Sequence, residues 1–303
     1  VRDIERGIEE TAAQIAPGTR IDIFAMDTKF HFSPAYLAEL SRLFRFKYSG
    51  ERYDAIITAD DAALHFMLGL RNAVLPGTPL AFCGVNSFSN EIIAAHPGVT
   101  GIVEDLDIEP TVRTALRLHP KTKTLVVIND RSQTGIGNRQ MLDRVLPGLA
   151  RQVSIRIFDD LSFKDLAAAV NSLPEDTLIL LLTYTTDANG ATMDYQESIR
   201  LIRNAASVPV YGVWDFYLGH GIVGGMLTSG ETHGALATRL ALRLACGENA
   251  ARLPVIRKSP NAFAFDAAEL ARFGVARTSL PAGSRIINLP RDFISENSGI
   301  VIA

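Results

Sequence analysis

YDAIITADDAALHFM, residues 53–67, is the stretch on which the reading of the fold turns. The apolar run 55–57 reads as a buried strand, and residues 62–67 read as a helix. Between them stand two adjacent carboxylates, Asp60 and Asp61. One is enough to cap a helix by accepting its free backbone N–H groups, so the second needs another explanation.

The same strand–joint–helix rhythm extends outward in both directions. Strands are expected at 20–26, 55–58, 80–83, 99–103, 124–128, 154–158, 177–182, 209–213 and 221–227. Helical patterns fall at 34–47, 61–71, 110–118, 137–151, 164–171, 194–206 and 231–245. In the last, Leu236, Leu240 and Leu244 share a face with Ala237 and Ala241, as a half-buried helix requires. Strands that read as unbroken Val/Ile/Leu runs (LVVI, LILLL) are covered on both faces, which implies parallel sheets with crossover helices. The expected class is doubly wound α/β. An acidic segment, 100–109, separates two halves of about four strands each, the size of a flavodoxin-like lobe. From Pro281 the rhythm is lost: Pro281, Gly283, Pro290 and the polar run 295–298 read as an extended stalk.

The 303 residues are 47% hydrophobic and 21% charged, with a formal net charge of -3. This is a globular composition with a core large enough for two lobes. It carries no electrostatic footprint for nucleic acid and no basic run for a membrane surface. No apolar stretch approaches the roughly 20 residues of a spanning helix. The opening Val1-Arg2-Asp3 shows neither an initiator Met nor a signal peptide, so a processed or excised chain is expected. Cys83 and Cys246 are expected to be buried thiols acting as small hydrophobes.

In open α/β sheets ligands bind outside the carboxyl ends of the strands. Those joints read Asp27-Thr28-Lys29-Phe30, Ala59-Asp60-Asp61 and Gly84-Val85-Asn86 in the first half. In the second they are Asn129-Asp130-Arg131-Ser132-Gln133-Thr134, Thr183-Tyr184-Thr185-Thr186-Asp187 and Trp214-Asp215-Phe216-Tyr217. Five of the six hold an Asp, and Tyr184, Trp214, Phe216 and Tyr217 gather at two neighbouring joints. Taken singly, an Asp there is an N-cap and a Trp there is packing. Together they make a pocket with aromatic walls and a few placed polar groups. Candidate ligand contacts are Asp27, Asp60, Asn86, Asp130, Ser132, Thr134, Tyr184, Asp187, Trp214 and Asp215. The carboxylates suit an ammonium or hydroxyls. Arg131 and the helix start after Ser132 suit a carboxylate, so an amino-acid-like or aromatic zwitterion fits.

Enzyme signatures do not support catalysis. Gly135-Ile136-Gly137 lacks the third glycine of a dinucleotide loop, and GxSxG, P-loop and HExxH motifs are absent. The six histidines have no zinc-ligand spacing; His65 reads as packing and His220 sits in a glycine-rich turn. No cofactor, metal or nucleic acid is expected.

Three stretches carry a resemblance: YDAIITADDAALHFMLGLRNAVLPGTPLAFCGVN, GVTGIVEDLDIEPTVRTALRLHPKTKTLVVINDRSQTGIG and GIVGGMLTSGETHGALATRLALRLACGE. Together they resemble the ABC-transporter substrate-binding-like family, and more narrowly its members that serve as extracytoplasmic sensor domains of membrane histidine kinases and diguanylate cyclases. The likeness runs from about residue 4 to 293. It implies two Rossmann-like lobes of the type I periplasmic binding protein kind, joined by a hinge of three crossings near 104–108, 224–228 and 252–259. Lobe 1 would hold 1–106 and the returning helix in 227–251. Lobe 2 would hold 107–226 and 252–280, with 281–303 a stalk toward a membrane segment, and the last five residues the start of its helix. The implied function is small-molecule sensing in a cleft between lobes, on the outer side of the inner membrane, with a homodimer left open. One of Asp60 and Asp61 would cap the helix while the other faces the ligand, and Asp60, nearer the strand end, is the one assigned to the ligand side. The other reading is a solute-binding protein of an ABC importer for an amino acid or similar zwitterion.

Overall fold

A computed structural model describes residues 2–290 except Lys29, Phe30, Phe32 and Ser87. The chain divides into two compact units, Val1–Asp105 with Ser229–Pro260, and Leu106–Thr228 with Asn261–Ala303, so it passes from one to the other three times.

The first unit carries a parallel sheet of β1 (Ile56–Ala59), β2 (Leu80–Val85) and β3 (Val99–Val103) in that order. Around it lie α1 (Arg2–Ile15), α2 (Pro34–Tyr48), α3 (Asp61–Val74) and α4 (Asn90–Ala95). α2 starts where its sequence dictates, with Ser33 accepting from Tyr36 N–H and Pro34 filling the first helical position. β2 is buried throughout, as an unbroken apolar run demands.

The second unit adds α5 (Ile108–Leu118), β4 (Thr124–Ile128), α6 (Gln133–Leu149), β5 (Ser154–Phe158), α7 (Phe163–Asn171), β6 (Thr177–Leu181), α8 (Tyr195–Ala205), β7 (Val210–Gly212) and β8 (Gly224–Leu227). After α9 (Gly230–Ala245), which belongs to the first unit, come β9 (Ala262–Asp266), α10 (Ala267–Arg272) and β10 (Arg285–Ile287). Its strand order is β10-β9-β8-β7-β6-β4-β5, parallel except for β8 against β9. The expected strands 99–103, 124–128 and 154–158 form with those bounds, because their apolar runs end at strong turn or cap residues.

Four expectations are corrected. Residues 20–26 form no strand: Ile21 and Ile23 are exposed, while Phe24 packs inward, edge-on to Phe44 at 5.2 Å. Residues 252–260 belong to the first unit, where Ile256 bridges Ile102 and exchanges backbone hydrogen bonds with Gly101 and Val103. Part of the expected stalk is sheet, since β10 pairs with β9 and Asn288 Nδ2 donates to Asp266 Oδ2 at 2.9 Å; the stalk beyond 290 lies outside the described residues. Cys83 is fully buried, its pKa pushed up to about 12 by burial, but Cys246 is exposed just past the end of α9.

Candidate functional site

In the second unit the carboxyl end of β4 is built around Asp130, which is 1% exposed. One carboxylate oxygen accepts from the backbone N–H and hydroxyl of Ser132, the other from the N–H and hydroxyl of Thr185 at 2.7 and 3.1 Å. Four donors saturate a carboxylate, so Asp130 ties the β4 joint to the β6 joint. Ser132 is the N-cap of α6, accepting from Gly135 N–H at 3.1 Å. A buried amide network of Asn129, Asn138 and Thr183 lies behind it. Thr134 is half-buried in the first turn of α6. Arg131, expected to take a ligand carboxylate, pairs with Asp159 at 3.3 Å and Asp160 at 2.8 Å.

Tyr184 turns to the loop after β5: its hydroxyl donates to Leu161 O at 2.6 Å and accepts from Leu161 N–H at 2.9 Å. Asp187 accepts backbone N–H groups from Asn189, Ala191 and Phe163. Burial raises its pKa, but these three donors outweigh it and hold the carboxyl below its ordinary value. Asp187, Arg131, Ser132, Asp159, Asp160 and Thr186 line a cavity of about 180 Å³.

The β7 joint is different in character. Trp214 stacks on Phe216 at 5.5 Å and 18°, and Phe216 packs on Tyr195 at 4.5 Å and Tyr217 at 4.6 Å. Trp214 bridges Thr228 at the end of β8, and Asp215 N–H donates to Thr228 O. Trp214 Nε1 and the hydroxyls of Tyr217 and Thr228 are buried with no hydrogen-bond partner among the described residues. Burial pushes the Tyr217 phenol well above 10. Buried orphan polar atoms are rare in native proteins, and here three occur at the adjoining ends of β7 and β8. The sequence pointed to Trp214 and Tyr217; Thr228 and Tyr195 were not recognised, because only the fold brings them to this joint.

In the first unit Asp61 Oδ2 accepts from Asn86 N–H at 3.0 Å, joining the ends of β1 and β2. The expected helix cap is not made: Asp60 holds the N-cap position of α3 but no cap bond from its side chain, and Asp61 is engaged with Asn86. The reason is backbone geometry. Asp60 sits at φ 94°, ψ 154°, a region otherwise left to glycine, which costs roughly 1–3 kcal/mol and tends to occur at functional sites. Asn86 Oδ1 is buried without a hydrogen-bond partner among the described residues. Asp27 is exposed at φ 49°, its carbonyl accepting from His31 N–H; Lys29 and Phe30 of this joint lie outside the described residues. His65, expected as packing, is exposed, with Nδ1 2.8 Å from Asp61 O.

One buried titratable group went unrecognised because nothing near it in sequence marks it. His233 on α9 is fully buried, its Nε2 hydrogen-bonded to Ser259 Oγ at 2.6 Å, and burial lowers its pKa to about 4. The folded state therefore resists a proton that the unfolded chain accepts near 6.5. Stability from this group is present above about pH 6.5 and is lost as pH falls toward 4, by on the order of 3 kcal/mol. Urea titrations of wild type and His233→Gln between pH 7 and 4.5 check it: the variant is expected to lose this part of the pH slope.

No family model and no curated protein matches the chain. Solved structures do. A ligand-free, open substrate-binding protein with adhesive properties from Clostridium difficile aligns at TM-score 0.64 and 14% identity over 94% of each chain. An ABC domain in complex with L-Trp from Streptococcus pneumonia aligns at 0.67 and 16%, over 94% of this chain and 95% of that one. An ABC transporter solute-binding protein from Agrobacterium vitis with bound D-fucose aligns at 0.56 and 8%, over 86% and 89%. At these identities the likeness bears on architecture alone, and the chain has the fold of the type I periplasmic binding proteins.

Proposed function

We propose that this chain is the extracytoplasmic small-molecule-sensing domain of a bacterial transmembrane signalling protein. The observation that supports it most is the β7 joint, where Trp214, Tyr217 and Thr228 hold buried polar atoms that no group among the described residues satisfies. A ligand entering there supplies the missing partners and a face for Trp214 to stack on. In this reading the ligand lies in the cleft that the family resemblance implies. Asp60, Asn86, Trp214 and Asp215 touch it, while Asp130, Ser132, Tyr184 and Asp187 shape the joints. Closure of the lobes passes the signal to a membrane segment. The ligand class that suits aromatic walls and carboxylates is an amine or zwitterion with an aromatic or apolar body. Among the described residues no helix is long and apolar enough to cross a membrane.

Trp214 is the one tryptophan in the chain, so its fluorescence reports this joint without background. Titration with aromatic and aliphatic amino acids, amines, purines, sugars and organic acids is expected to change it for one class. That class raises the melting temperature too, since ligand at a hundred times Kd adds about 2.7 kcal/mol. A fluorescence change in no class, with none copurified, overturns the site. Asp60→Gly is expected to weaken that ligand at least about tenfold, roughly 1.4 kcal/mol. The first unit nevertheless melts no earlier, because the strained backbone of Asp60 is relieved.

The neighbours whose descriptions name substrate-binding and solute-binding proteins favour a second reading, delivery of solute to an importer. The coding sequence downstream separates the two: a spanning helix followed by kinase or cyclase sequence supports the sensor, and a stop codon leaves the importer reading.

A further inference from the structure

Helix α2 turns one stripe of side chains into the first unit and leaves the opposite stripe bare. Leu40, Phe44 and Tyr48, four residues apart, are buried, and Phe24 and Phe66 pack on Phe44. On the opposite side lie Ala35, Ala38, Glu39, Arg42, Leu43 and Phe46, all exposed. Phe46 is 90% exposed and Leu43 52%, and no other large apolar side chain among the described residues is as exposed as Phe46. A single apolar residue at a surface needs no explanation. A phenylalanine and a leucine standing side by side on the outer face of a helix do.

The order of residues along the stripe says what covers it. Positions 35, 39, 42 and 46 are spaced four, three and four, as along the seam of two packed helices. Two copies of α2 laid parallel and in register would set Arg42 against Arg42, which repels. Laid antiparallel about a two-fold axis between residues 40 and 41, the same stripes match. Phe46 then meets Ala35 of the second copy and Leu43 meets its Ala38, so each large side chain faces a small one. Glu39 meets Arg42 of the second copy, and Arg42 its Glu39. Within one chain these two already pair at 3.2 Å, so the four groups close into a square of alternating charge. Sliding the helices by one turn destroys the match, setting Phe46 against Glu39 and Leu43 against Arg42.

We propose that the outer face of α2 is a docking surface for a second copy of this chain, whose own α2 lies across it antiparallel in that register. The occupant follows from the face being its own complement in both size and charge. An anionic lipid surface would attract the flanking Arg45 and Lys47, but it would have to accept Glu39 in the middle of the stripe. One pair of helices of this length falls short of the roughly 1,000 Å² of a permanent interface, so the dimer is reversible and grows with protein concentration. The inference rests on α2 alone and stands whether the chain senses a solute or delivers one.

Analytical ultracentrifugation over a series of concentrations tests it. Wild type is expected to pass from monomer to dimer. Phe46→Glu is expected to weaken self-association at least about tenfold and to leave the melting temperature unchanged, since the side chain is exposed in the single chain. Glu39→Arg and Arg42→Glu are each expected to weaken it by a similar factor, because each sets like charges face to face. Mixed in equal amounts, these two variants are expected to recover the wild-type dimer, because each supplies the charge the other has lost. An unspecific apolar contact gives no such recovery. A wild type that stays monomeric at every concentration overturns the proposal. So does a dimer that Phe46→Glu leaves intact, or a mixture no more associated than either variant alone. Binding of monomeric wild type to vesicles of anionic lipid, lost in Phe46→Glu, assigns the face to a membrane and overturns it too.

Discussion

Asp130→Ala is expected to destabilise the second unit by about 3–5 kcal/mol and to lower its melting temperature by roughly 10 °C. The carboxylate is buried and accepts from Ser132 and Thr185 twice each. Its removal leaves two backbone N–H groups orphaned inside the joint; the two hydroxyls can rotate to other acceptors. Asp130→Asn is expected to recover only part of the loss, because one of its two positions now donates where an acceptor is needed. Chemical denaturation of both variants measures this, and a loss below about 1 kcal/mol for Asp130→Ala shows that water replaces the carboxylate at little cost. The result also separates framework from site. In Asp130→Asn, a folded protein with near wild-type ligand affinity is expected, since the side chain acts by holding the β4 and β6 joints together.

Gly225→Ala is expected to cost at least about 4 kcal/mol, enough to leave the second unit largely unfolded at 37 °C. A Cβ there would lie 2.0 Å from the carbonyl oxygen of Gly212 in the neighbouring strand, and Thr111 Cγ2 closes the other side at 3.0 Å. Neither can yield: the carbonyl is backbone at the centre of the sheet, and Thr111 is fully buried with its hydroxyl accepting from Met226 N–H. Gly224 is as confined, a Cβ there meeting Ala264 O at 2.3 Å. Gly137→Ala is the control. It sits in α6 with nothing within 4 Å of the new methyl, and a gain of about 0.5–1 kcal/mol is expected from helix propensity. Circular dichroism melts of the two variants decide it, and a well-folded Gly225→Ala protein would show that β7 and β8 can separate.

The GIVGG run illustrates what is legible in a sequence and what is not. Its glycines stand out as part of a family resemblance, but the cause at Gly224 and Gly225, a carbonyl from another strand pressed against the Cα, exists only after the sheet has formed. The strand–joint–helix reading of 53–67 succeeded for a local reason. Apolar runs bounded by cap residues carry their own instructions, and β1, α3, β4 and α6 follow them. Residues 20–26 failed for a non-local one, since a strand exists only through its partner and none is among the described residues.

The candidate site divides along the same line. Residue type and position at the ends of parallel strands are properties of the sequence, and they placed acids, hydroxyls and aromatics at the joints. Which of them remain available is decided by neighbours distant in the chain. Asp130 is consumed by Thr185, Tyr184 by Leu161 and Asp187 by Phe163, whereas Trp214 and Thr228 meet with buried polar atoms that no described residue satisfies. The paired carboxylates show both halves at once. The sequence alone determined that Asp60 and Asp61 begin a helix at a strand end; the tertiary structure decided that neither caps it, because the approach of β2 turns Asp61 toward Asn86 and holds Asp60 in a backbone conformation that only long-range packing can enforce.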